Sequence, residues 1–300
     1  RVHVDSLTVI TPTGGTINEP NATSTSNGVF YGVITGIARP FREPGIEVPD
    51  PLPAGSPCCV PRFDANPERL RVDSAGLVGA PKLEVTTGAV VTNLTGPLDY
   101  AYRTYTILPD PPPAPAPAVA GNISAIPVPA PGVDEFTIAS FNMARFYDTV
   151  NDPATSDAVL TPTAFNNRLN KASLAVRNVM RTPDIIGVEE MENITTLEIL
   201  AAKINSDAVA AGDPNPNYQA YLIEGNDVGG IDVGFLVKIS RVNVLDVTQE
   251  GKDATYINPN NGQAELLNDR PPLILRATIQ APNGDPYPVM VIVNHLRSLS

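Results

Sequence analysis

Apolar positions recur along the chain with two different periods, and the change falls near residue 130. Up to residue 108 the pattern is one of short runs rich in β-branched and aromatic residues. These are Arg1 to Ile10, Val29 to Ala38, Leu70 to Val72, Ala89 to Leu94 and Tyr100 to Leu108. Gly14-Gly15, Asn27-Gly28 and a proline-rich 49–61 stretch separate them, so each run is predicted as a strand closed by a turn. No helical period of useful length occurs there, which predicts an all-β domain over 1–108. Residues 109–132 carry nine prolines among alanine and glycine and are expected to form an extended, semi-rigid linker.

Over 133–300 strands and helices alternate. Phe136 to Asn142 reads as a strand ending in Asn142, and Leu169, Ala172, Val176 and Val179 then recur at helical spacing, with Arg168, Lys171 and Arg177 on the other side. Thr182-Pro183 ends that helix. Next comes Pro183 to Asn193, where Ile185, Ile186 and Val188, broken once by Gly187, predict a buried strand that runs straight into Glu189, Glu190 and Glu192. If the two strands of this βαβ-like unit are parallel, Asn142 and the acids leave the sheet at one edge, the place where α/β sites form. A helix over Thr196 to Ile204 follows. The strands after it are Tyr218 to Glu224, Gly229 to Lys238, Val242 to Val247, Leu273 to Ile279 and Val289 to Asn294, with short links that predict a largely antiparallel sheet. The last delivers His295.

Composition narrows the chemistry. A length of 300 residues favours two domains, and no apolar run is long enough to cross a bilayer as a helix. The net charge of -12 argues against nucleic-acid binding by charge alone, because counterion release needs a basic face. An enzyme that acts on phosphates through a bound divalent cation escapes that objection. The only two cysteines, Cys58 and Cys59, are adjacent and read as a loop feature, not a metal site. Four Asn-X-Ser/Thr matches, at Asn21, Asn93, Asn122 and Asn193, matter only in a eukaryotic secretory setting. Tyr100, Tyr102 and Tyr105, with Arg103 among them, fit a stacking platform, but a strand packing alternate aromatics into its own core is the favoured reading. An oligonucleotide-binding barrel is one arrangement the first domain's strands can take.

With two histidines in the chain, His295 is the candidate for acid–base work in the second domain. Glu190 or Glu189 supplies the hard carboxylate that Mg²⁺ or Ca²⁺ prefers. Asn142 can hold metal or phosphate without adding negative charge, and Arg270 offers the planar fork that suits a phosphate. Each has a structural alternative: a turn cap for Asn142, an ion pair with Asp269 or another neighbour for Arg270, a core hydrogen bond for His295.

Ser140-Phe-Asn142, Asp184-Ile-Ile-Gly-Val-Glu-Glu190, Asp269-Arg-Pro-Pro and Val293-Asn-His295-Leu-Arg-Ser, in that order, resemble the first half of the endonuclease/exonuclease/phosphatase superfamily. The likeness is to its secreted bacterial extracellular nucleases and, more distantly, to pancreatic deoxyribonuclease. It implies an α/β (α+β) fold, a deoxyribonuclease-I-like two-layer β-sandwich flanked by helices, incomplete at the C-terminus and preceded by the all-β domain. By resemblance Asn142 and Glu190 are metal-site residues, with Glu189 in the position of a glutamine and therefore the lesser candidate. Arg270 and Asn142 contact the substrate phosphate, and His295 stabilises or protonates at the scissile phosphate. The resemblance assigns Asp232, on a matching strand, no clear role. The implied cofactor is Mg²⁺, with Ca²⁺ or Mn²⁺ as alternatives.

The implied function is a secreted or cell-surface bacterial endonuclease, a metal-dependent phosphodiesterase hydrolysing DNA or RNA. A phosphatase or lipid phosphodiesterase of the same fold is the second expectation. The catalytic half carries 12 basic against 21 acidic residues and no basic rim for a lipid surface. A non-catalytic surface or matrix protein is the third. The family completes its site with Gly-Asp-Phe-Asn-like and Ser-Asp-His segments, which the resemblance places beyond Ser300 or in another chain. Without that remainder the sandwich is expected to leave its inner face uncovered.

Overall fold

The computed structural model describes residues 1–37, 54–55, 68–102, 104–121, 125–281 and 284–296. Cys58, Cys59, Asn122, Arg103 and most of the 49–61 stretch lie outside the described residues. The chain divides into two compact units, one formed by Arg1–Asn18 and Thr23–Ser124, the other by Glu19–Ala22 and Ala125–Ser300.

Unit 1 is all β. Its strands are β1 (Val2–Thr11), β2 (Gly15–Asn18), β3 (Thr23–Ser26), β4 (Val29–Ile34), β5 (Leu70–Asp73), β6 (Val90–Gly96), β7 (Leu98–Ala101), β8 (Thr104–Ile107) and β9 (Ala118–Ala120). Seven of them form one sheet in the order β7-β8-β5-β4-β1-β6-β9, while β2 and β3 pair as a separate ribbon. All pairings in the large sheet are antiparallel except that of β5 with β8. Past β8 the chain returns to β6: the Leu108 amide donates to the Pro97 carbonyl at 3.1 Å and the Asp110 amide to that of Thr95 at 2.9 Å. Alternate residues of the strands, among them Leu7, Val9, Phe30, Val72, Val91, Leu94 and Ile107, close one core. Two expectations change here. Tyr100 to Leu108 is not one strand but the end of β7, a turn at Tyr102, a left-handed residue (φ 55°), and β8. Part of the proline-rich stretch is also built into the sheet, because Ala118–Ala120 falls between prolines and can pair with β6.

In unit 2, β10 (Ile138–Phe146) leads to α1 (Pro162–Leu174), which Thr161 caps by accepting from the Ala164 amide at 3.3 Å, with Pro162 in the first turn. A single π turn, Ala175–Val179, carries α1 on, and β11 (Ile185–Met191) follows. Helix α2 (Ile194–Ala210) is capped by Asn193, whose Oδ1 accepts from the Thr196 amide at 2.8 Å. Then come β12 (Tyr218–Leu222), β13 (Asp232–Lys238), β14 (Val242–Gln249), β15 (Thr255–Ile257), β16 (Ala264–Leu266), β17 (Leu273–Ile279) and β18 (Tyr287–Val293).

One sheet has the order β10-β11-β13-β12, with β10 and β11 parallel and the rest antiparallel; a second is β14-β17-β18, antiparallel throughout. Ile186, Val188 and Leu236 face the helices, against Leu169, Val176, Leu197, Leu200 and Ile204. Ile185, Val233, Phe235 and Val237 face the second sheet, against Leu273, Leu275, Ala277 and Val293. The expectation of an uncovered inner face is thus corrected, because three strands already roof the apolar side of β11 and β13. The break at Gly187 has its reason in the same layer. A Cβ there would stand 3.3 Å from Val293 Cγ2, so glycine lets the two sheets close on each other. Strands β10 and β18 end their sheets among the described residues, with Ile138, Tyr287, Met290 and Ile292 exposed along them.

Candidate active site

The parallel pairing of β10 with β11 sets Asn142 opposite Glu189, and both strands deform at this point. On β11 the chain advances two positions, from Glu189 to Met191, while the facing strand β13 advances by one, from Val233 to Asp232, so Glu190 is the extra residue of a β-bulge. Its φ of 60° is left-handed, a conformation that glycine takes freely and a side chain resists. The bulge also switches the parity of the strand. Val188 before it and Met191 after it both reach the helix-side core, although they lie three residues apart. Strand β10 breaks step over the same stretch, with Ala144 and Arg145 left-handed as well (φ 54° and 55°). Asn142 is therefore not the end of its strand, as expected, but the residue at which the strand's regular register stops. Residues held left-handed together mark a place where backbone strain serves an arrangement of side chains.

That arrangement centres on the Glu190 carboxylate. Asn142 Nδ2 donates to Glu190 Oε1 at 3.0 Å and the Arg145 amide donates to Oε2 at 2.9 Å. Asn142 Oδ1 accepts from the Ala144 amide at 2.8 Å, which fixes the orientation of its own amide. His295 arrives from just beyond β18, with Nε2 3.5 Å from Glu190 Oε1. Glu189 lies one residue away yet apart in role: it is buried and accepts from Ser140 Oγ at 2.9 Å.

Arg270, in the link between β16 and β17, and His295 line one hollow of about 170 Å³ together with Asn268 and Asn294. Arg270 pairs with Asp227, at 3.4 Å between Nη1 and Oδ2, where the sequence pointed to Asp269 or an unspecified neighbour. Asp269 instead lends its carbonyl to the Asn226 amide at 2.8 Å and so ties the arginine's link to the 224–230 loop. Asp232, at the start of β13, accepts from the Gly225 amide at 2.8 Å. Burial raises its pKa to about 7, and the neighbouring Glu224 carboxyl adds to the rise. Sequence reasoning did not single out Asp227. The signal for it was the run Glu-Gly-Asn-Asp-Val-Gly-Gly over 224–230, a tight polar loop set before a buried strand.

The electrostatics split the site into two halves. Burial lowers the His295 pKa and the Arg270 cation lowers it further, while Glu190 and Glu189 pull the other way, so the ring is mainly neutral near pH 7. Its Nδ1 and the Nε of Arg270 are buried without a hydrogen-bond partner among the described residues. Buried polar atoms left unmade are costly, and both belong to residues that line the same hollow, a cationic and polar setting that suits an oxyanion. A hard divalent cation is a different test. Among the described residues no group of three His, Cys, Asp or Glu side chains forms a closed cage. Mg²⁺ does not require one, since it takes one or two carboxylates and keeps several waters. Glu190, with Asn142 beside it, fits that habit; Glu189, buried and bonded to Ser140, does not.

With this geometry in hand, residues 137–295 match the model of the Endonuclease/Exonuclease/phosphatase family, and the chain belongs to that family. Residues 2–117 match a domain of unknown function. No curated protein matches the chain. Among solved structures, similarity is found to humanized D. rerio TDP2 carrying 14 mutations, at 18% identity and a TM-score of 0.30, covering 55% of this chain and 48% of that one. It is also found to D. rerio TDP2 complexed with single strand DNA product, at 20% identity and a TM-score of 0.29, covering 55% of this chain and 47% of that one. The chain therefore spans about half the length of these structures.

Proposed function

We propose that unit 2 is the Glu190-bearing part of a divalent-cation-dependent phosphodiesterase, an extracellular bacterial endonuclease that hydrolyses DNA or RNA. The observation that carries this reading is the β-bulge that lifts Glu190 out of β11 into contact with Asn142 and His295, beside the hollow Arg270 shares. In this reading Glu190 and Asn142 hold Mg²⁺, or Ca²⁺ or Mn²⁺ in its place. When bound, that ion supplies positive charge to the phosphate and polarises it for attack. Arg270, held by Asp227, presents its remaining donors to a non-bridging oxygen and neutralises charge as the phosphorane-like state forms. His295, neutral when free, offers Nε2 or Nδ1 to the same oxygens, and an arriving phosphate favours its protonation.

The remainder of the catalytic domain, in the longer protein or in another chain, is part of the same proposal. Edge strands β10 and β18, with Ile138, Tyr287, Met290 and Ile292 exposed, support it, because such edges are normally paired or covered. The test is plasmid nicking by the full-length protein with Mg²⁺ or Ca²⁺ and then with chelator, alongside a panel of phosphate monoesters and phospholipids. Activity on DNA that chelator abolishes is expected, with Glu190→Ala severe and Glu189→Ala mild. Equal activity in chelator would end the metal proposal, and the reverse ranking would move the site to Glu189.

A further inference from the structure

Unit 1 presents one aromatic and basic surface that the reaction proposed for unit 2 does not use. Strands β1, β4 and β5 form an antiparallel meander, β8 joins β5 in parallel, β6 joins the other side of β1, and the chain after β8 bonds back to β6. This is the strand order of a partly open five-stranded barrel, with β7 and β9 as additions, and such barrels bind ligands on the face of their second and third strands and on the loop before the last. Here those are β4, β5 and the turn from β7 into β8. Phe30 and Val72 point inward on β4 and β5, so Tyr31 and Arg71, paired across the two strands, point outward.

Two arginine–tyrosine pairs stand on this outer side. The Arg69 guanidinium lies 4.2 Å from the Tyr31 ring centroid, and that of Arg71 lies 5.1 Å from the Tyr102 centroid. Arg71 is itself fixed by Asp73 at 3.0 Å. Tyr102 is 85% exposed although Arg71 braces it, and it is left-handed directly after β7, where Asn or Gly would be unstrained. Tyr100 and Tyr105 differ, because their rings pack edge to face with centroids 5.2 Å apart. A bulky ring held in a strained turn, open to solvent and backed by a guanidinium, has no packing role that accounts for the strain.

We infer that the outer face of β4 and β5, with Tyr102 at its end, is a stacking surface for single-stranded nucleic acid. Residues 1–132 carry 8 basic against 11 acidic residues, which disfavours holding a duplex by counterion release. Unpaired bases offer flat faces to tyrosine and guanidinium alike, so stacking can supply the affinity that charge does not. A polysaccharide also stacks on tyrosine, but two guanidiniums beside two rings match bases and phosphates better than neutral sugars.

The test uses the full-length protein in chelator, so that cleavage does not intervene, and reads the anisotropy of a fluorescein-labelled oligothymidylate. Tyr102→Ala is expected to weaken binding by about 5- to 100-fold, the range of one lost base stack, while Tyr102→Phe stays near wild type. Val78→Ala, at a fully exposed position of the same unit outside this face, is expected to bind like wild type. Unchanged affinity in Tyr102→Ala, an equal loss of binding in Val78→Ala, or binding of a neutral glucan in place of the oligonucleotide would each overturn the inference. Failure of the nicking assay would leave it standing.

Discussion

If Glu190 is the extra residue of a strained bulge, glycine and alanine should exchange their usual ranking at that position. In an ordinary strand glycine is about 0.5–1 kcal/mol worse than alanine, because it loses more backbone freedom on folding. At φ 60° an alanine keeps the left-handed penalty of roughly 1–2 kcal/mol, which glycine sheds. The two terms oppose, and glycine should win by about 0.5–1 kcal/mol. Both Glu190→Gly and Glu190→Ala lose the acceptor for Asn142 Nδ2 and the Arg145 amide, so that loss cancels between them. Glu189 provides the control one residue away, since it is not among the left-handed positions. Four variants, Gly and Ala at each site, would be melted and followed by far-ultraviolet circular dichroism. For a unit of this size 1 kcal/mol corresponds to about 2–4 °C. Glu190→Gly should melt above Glu190→Ala, and Glu189→Gly below Glu189→Ala, with both Glu190 variants inactive. Alanine equal to or above glycine at 190 would refute the bulge and the argument built on it.

Two further outcomes follow from the packing. Gly187→Val adds a branched side chain where even a Cβ stands 3.3 Å from Val293, and should destabilise the protein by about 1–3 kcal/mol in urea denaturation; an unchanged midpoint would mean the sheets do not close there. Glu192 is buried, and that burial raises its pKa to about 8 although it accepts from the Asp148 amide at 2.6 Å. The folded state thus binds a proton that the unfolded state has released. The associated stability is full below the ordinary carboxylate range and is lost as pH rises toward 8. Glu192→Gln should flatten this slope in denaturation curves taken from pH 5 to about 8.5, and an unaltered slope would exclude Glu192 as its source.

The strand that carries Glu190 was legible because burial on both faces leaves a continuous apolar run, and its start just after Pro183 holds in the structure, whereas its end lies beyond Glu189 and Glu190 at Met191, because pairing resumes past the bulge. The two helices were legible from period and caps, although α2 runs from Ile194 to Ala210, well past the expected Thr196 to Ile204, because Ala208 continues its buried face. The bulge was not legible. Glu189 and Glu190 are the same letter, and only pairing across two neighbouring strands shows which one is displaced. Asp227 was missed for a similar reason, since its partner Arg270 lies 43 positions on and no local pattern links them. In unit 1 the tyrosines at 100 and 102 alternate as a strand would, and nothing in the letters marks Tyr102 as a turn residue.

The most direct measurement of the central claim is the anomalous scattering map of crystals of the full-length protein soaked in Mn²⁺. A peak about 2.0–2.3 Å from a Glu190 oxygen, beside Asn142 and clear of Glu189, is the predicted result. A peak on Glu189, or between Asp148 and Glu192 with none at Glu190, would contradict it.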